Sequence, residues 1–139
     1  MTSNTPAMPI KVNPIERRLR KYSLQKVEMH YLETELRTAK EMLETLDEFQ
    51  ITLDNEVQSK VDERIKKLEQ QIAALQKEKE LVEKVILELE DDIAREIFKL
   101  KYFSNQVWSD IAKRVGYTER QCKRIHDDTI EKVISEKLF

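Results

Sequence analysis

A chain of 139 residues with 37% charged side chains, four Phe, four Tyr and one Trp has the length of one domain, yet too few large apolar groups for one compact globule. A single cysteine and two separated histidines exclude an internal disulfide, a multi-cysteine zinc site and a histidine metal cluster. The net charge of −2 is uneven: residues 15–93 hold 14 Lys/Arg against 20 Asp/Glu, whereas 94–139 hold 10 against 7.

Residues 1–14 contain all three prolines and a Ser/Thr/Asn cluster, which predicts a disordered lead ending where Pro14 opens a helix at its first turn. The first thirty residues lack the apolar core of a signal peptide, and no stretch approaches the length of an apolar membrane span. A cytoplasmic protein with no membrane partner is expected.

Residues 15–93 are dominated by strong helix formers and predict long helices. Met29, Leu32, Leu36, Ala39, Leu43, Leu46 and Leu53 mark one apolar stripe. A second runs from Val61 through Ile65, Leu68, Ile72 and Leu75 to Val82, Ile86, Leu89 and Ile93 in alternating steps of three and four, a heptad pattern with Lys79 at one core position. Between the stripes the phase breaks near Leu53 and Val57, beside the cap formers Thr52, Asp54 and Asn55. Either the chain folds back as an antiparallel hairpin, the favoured reading, or it continues as one long helix with a stutter. Self-association through residues 57–93 is expected, a dimer being favoured, with a hairpin burying part of the stripe internally.

Residues 94–139 read as a separate helix-turn-helix domain. After the helical run "IAREIFKLKYF", Ser104 or Asn105 offers a cap for a helix over about 106–115. Gly116, the only glycine, then suits a left-handed helix end, and Thr118 three residues before Gln121 forms a capping box for the next helix. Trp108, Ile111, Val115, Tyr117, Cys122 and Ile125 fall where the two helices need core residues, and the small Ala112 permits close approach. His126 is expected to cover the hydrophobic edge of this core. Five positive charges and one negative lie between 113 and 124.

In this layout the start of the second helix enters the DNA major groove. Arg120, Arg124 and Gln121 are the candidates for base contacts, and Lys113, Arg114, Thr118 and Lys123 for phosphates. Arg17, Arg18, Arg20, Lys21 and Lys26 could add a second contact, although a solvated helix start is favoured. No nucleophile–base pair, phosphate loop or carboxylate cluster suggests an enzyme, and no cofactor is expected.

The pattern in "IFKLKYFSNQVWSDIAKRVGYTERQCKRIHDDTIEKVISEKL" resembles the promoter-reading domain of bacterial sigma factors, and more closely the ArpU/RinA-type phage late-gene transcription regulators. That resemblance covers about residues 93–138 and implies a phage or prophage protein that binds promoter DNA in the bacterial cytoplasm and acts through host RNA polymerase. Asp127 and Asp128, directly after the reading surface, depart from it, and the upstream helices are longer and more regular than it implies. A small terminase subunit that marks DNA for packaging and a coiled-coil scaffold without DNA binding are the alternative functions.

Overall fold

The computed structural model describes residues 13–138, so the expected disordered lead lies outside the described residues except at its last two positions. The described residues are helical with no strand, an all-α fold. Helix α1 spans Pro14–Glu48 and α2 spans Asn55–Leu87. They are followed by α3 (Asp92–Phe98), α4 (Trp108–Val115), α5 (Glu119–Thr129) and α6 (Ser135–Leu138). Wider π-helical turns, Lys99–Phe103 and Ile130–Ile134, extend α3 and join α5 to α6.

Packing divides the chain into two units, one from Leu24 to Leu81 and one uniting α1 up to Ser23 with the chain from Val82 onward. The Leu24–Leu81 unit is an antiparallel helical hairpin, the favoured of the two sequence readings. Arg64 of α2 donates to Glu35 of α1 at 2.7 Å, and Lys40 of α1 lies 3.7 Å from Glu69 of α2. The two stripes supply the contact face: Met29, Leu32 and Leu68 are buried, and Leu36, Leu43, Ile65, Ile72 and Leu75 half-buried. Each stripe is thus the other's partner within one chain. At the reversal Gln50 takes φ +54, and the Ile51 amide donates to the Leu46 carbonyl at 2.8 Å, closing α1 by a left-handed residue in a place where the sequence has no glycine.

The other unit holds two adjoining cores. In one, Leu19 and Tyr22 from the start of α1 meet Val82 and Ile86 from the end of α2, with Phe98, Tyr102, Ile130 and Ile134. Arg18 adds a hydrogen bond to the Leu138 carbonyl. The second gathers Ile97, Leu100, Ile111, Ala112 and Cys122, with Ile93, Trp108, Val115 and Ile125 partly buried around them. Asp91 caps α3 through the Ala94 amide at 2.9 Å, a bond of the kind that contributes about 1 kcal/mol.

Candidate nucleic-acid interface

The junction of α4 and α5 is built by backbone chemistry that only a few residue types supply. Gly116 has φ +77, and the amides of Gly116 and Tyr117 both donate to the Ala112 carbonyl, at 2.9 and 3.2 Å. A side chain at position 116 would meet open space, so the torsion rather than crowding calls for glycine there. Two residues on, the Gln121 amide donates to Thr118 Oγ1 at 3.1 Å and the Thr118 amide donates to Gln121 Oε1 at 3.0 Å, the complete capping box. These bonds set the course of both helices across Ile111, Ala112 and Cys122.

The start of α4 differs from the sequence expectation. Val107 occupies the cap position with no side-chain bond, and the helix begins at Trp108. Neither Ser104 nor Asn105 caps it: the Ser104 amide closes the π turn on Lys99 O, and Asn105, at φ +53, accepts a hydrogen bond from Ser23 Oγ of α1. Tyr117, expected in the core, is 41% exposed, because the left-handed step at Gly116 turns it outward. Trp108, Val115 and Ile125 are half-buried, and Ile111, Ala112 and Cys122 are buried. Burial pushes the Cys122 thiol up from its ordinary pKa, as does the charge of Glu119.

His126 lies deeper than the hydrophobic edge expected for it. It is 2% exposed, stacked on Phe98 with 4.9 Å between ring centres, and meets the Trp108 ring edge-on at 5.2 Å. Its Nε2 lies 2.6 Å from the Tyr102 hydroxyl and its Nδ1 2.9 Å from Asp127 Oδ1. A neutral ring satisfies both partners by donating from Nδ1 and accepting at Nε2. Burial pulls the imidazole below its ordinary pKa, against the opposing pull of Asp127. The Asp127 carboxylate, one of the departures from the resemblance, therefore holds a buried ring. No sequence periodicity identified this arrangement; the signal was a polar residue one step from an acid in an otherwise apolar position.

On the outward side, Lys113, Arg114, Arg120, Lys123 and Arg124 are exposed, and no ion pair engages any of them among the described residues. Some cations elsewhere are paired with acids: Arg20 with Glu16 at 2.6 Å, Lys60 with Glu56 at 3.5 Å and Arg95 with Asp92 at 2.5 Å. Gln106, Asp110, Lys113 and Arg114 line a shallow depression of about 410 Å³. The positive field also includes Lys101, which sequence reasoning missed and which sits 4.9 Å above the Trp108 ring. Burial lowers the Lys101 pKa, and Arg20 and Lys123 lower it further while Glu16 opposes them. Thr118 and Gln121 are exposed, but the Thr118 hydroxyl and Gln121 Oε1 are engaged with each other. No group of side chains suited to a metal ion occurs among the described residues, and no helix there is long and apolar enough to cross a membrane.

Fold and surface together define an all-helical protein that presents a closely joined helix pair whose outer cations make no ion pair among the described residues. Residues 11–135 match a family model described as "Protein of unknown function (DUF722)", and the chain belongs to that family. No curated protein and no solved structure matches it.

Proposed function

We propose that this chain is a sequence-specific duplex-DNA-binding transcription regulator, a phage or prophage late-gene activator that works with host RNA polymerase and has no enzymatic activity. The observation that carries the reading is the conjunction at α4–α5: a left-handed glycine, a complete capping box and a shared core on one side, and five unpaired cations on the other. That conjunction fits the helix-turn-helix layout, in which the second helix enters the major groove while neighbouring groups hold phosphates. Arg120 and Arg124, one turn apart on α5, are the base readers, each able to give guanine a bidentate pair. Lys113, Arg114 and Lys123 serve the phosphates. Gln121 contributes through Nε2, because Oε1 is held by the cap and bidentate reading of adenine would break it.

Selecting bound fragments from the source genome supplies the site on which the reading is tested. Arg120→Ala or Arg124→Ala should weaken binding to that site by roughly 1–3 kcal/mol and narrow the gap to random DNA. Lys113→Ala should weaken both DNAs alike and flatten the salt dependence by about one unit of slope. Equal losses on selected and random DNA for the arginine variants would mean that α5 does not read bases.

A further inference from the structure

Helix α1 carries a second apolar stripe, on the face turned away from α2. Leu24, Val27 and Tyr31 are each 70% exposed, Met42 is 47% and Phe49 71% exposed. At 100° per residue these five side chains fall within about 60° of one another, roughly 110–130° from the stripe that packs on α2. Phe49 keeps the helical course, its amide donating to Thr45 O at 3.1 Å. The positions between them on this face are Thr38 and Thr45, with Thr34 at one edge and Glu35, paired with Arg64 of α2, at the other. Ten charged residues lie between 24 and 49, and none falls on this line. Singly scattered exposed apolar residues need no explanation, but an uncharged line along one face of a highly charged helix does.

We propose that this face pairs with the same face of a second copy, the two α1 helices running antiparallel about a two-fold axis near residues 36–37. The stripe is self-complementary in that register. Tyr31 meets Met42 of the other copy, Leu24 meets Phe49, and Thr34 and Thr38 meet near the axis. A flanking position favours the same orientation, because His30 comes near Glu41 of the other copy, whereas a parallel pair would set Glu41 and Glu48 against their own copies. Sulfur–aromatic contact between Met42 and Tyr31 adds to the fit. Five side chains offering on the order of 100 Å² each would remove roughly 1,000 Å² from water across both copies, the lower bound for a specific interface. The heptad stripe of α2 is already half-covered by α1 of its own chain, which leaves the outer face of α1 as the more exposed apolar line. The proposal is independent of DNA binding.

Sedimentation of the full chain at micromolar concentration should give twice the 16.6 kDa mass. Tyr31→Glu should halve that mass with helicity unchanged, because the side chain replaced is exposed and carries no packing within the chain. Orientation is read by oxidative cross-linking: a mixture of Tyr31→Cys and Met42→Cys chains should form the mixed disulfide in excess over either self-linked product. A monomeric wild type, a Tyr31→Glu variant that remains dimeric, or self-linked products in excess would each overturn the proposal.

Discussion

The two packing units of this chain are stabilised in different ways. Of the largest fully buried side chains, Tyr22, Phe98, Leu19, Ile86, Ile97, Ile111 and Ile134 belong to the unit that holds both chain ends, whereas the hairpin from Leu24 to Leu81 contributes Leu68. The hairpin relies on helix propensity, ion pairs and two half-covered stripes; its counterpart relies on aromatic packing, caps and a buried hydrogen-bonded histidine. A two-helix hairpin can be specified by pattern alone, because each turn repeats the last. A small multi-helix core cannot, because every crossing needs its own residue.

The largest test of that contrast is deletion of core volume on each side. Phe98→Ala should cost about 3–5 kcal/mol, and Ile72→Ala in the hairpin clearly less, since its site is already half open to water. Denaturant unfolding followed by far-ultraviolet dichroism and by the fluorescence of Trp108, the only tryptophan, separates the two, because Trp108 reports one unit alone. Coincident transitions by both probes would show that the units unfold as one and that the contrast is energetic without being cooperative.

The two chain reversals sharpen the comparison at a smaller scale. Both Gly116 and Gln50 occupy the left-handed region, and only the first is the residue suited to it. Gly116→Val should destabilise its unit by at least about 1–2 kcal/mol and abolish the proposed DNA binding, while Gly116→Asn should retain most of both. Gln50→Gly should instead raise stability by up to about 1 kcal/mol, measured by the same denaturant curves. A loss there would mean that the hairpin reversal is held by contacts of the glutamine side chain and not by its torsion.

The smallest effect is a pH dependence confined to one unit. The folded pKa of His126 lies below its ordinary value of 6.5, so below that pH the unfolded chain binds the extra proton more readily than the folded one. The contribution of His126 is therefore constant above pH 6.5 and diminishes as pH falls below it, until the ring protonates in the folded state. His126→Phe, which keeps the stacking on Phe98 and removes titration, should show a shallower loss of thermal stability on acidification than the wild type. Equal slopes would place the pH response elsewhere.

The helix pattern, the start of α1 at Pro14, the glycine turn and the Thr118–Gln121 box were legible in the sequence because each depends on residues close together in the chain. The hairpin was legible as one of two alternatives, since the phase break located the reversal but not the left-handed Gln50. Asn105 was misread because its partner, Ser23, is distant in sequence, and local propensity offers it only as a cap. His126 was placed too near the surface for a related reason: its partners come from α3, the π turn and α4, which periodicity along α5 alone does not locate. The outer stripe of α1 was overlooked because two apolar lines on one helix overlap in sequence, and only exposure separates the line that is covered from the line that is not.

The buried thiol of Cys122 gives the molecule a built-in clock. It is the only sulfhydryl in the chain, fully enclosed between α3, α4 and α5, and burial holds its proton on. An alkylating reagent can reach it only during the moments when those helices part, and each such moment leaves a permanent mass increment. The rate at which untreated, unmutated protein gains that single increment therefore counts the openings of the α4–α5 unit, and a ligand that clamps those helices would be recognised by the slowing of the count.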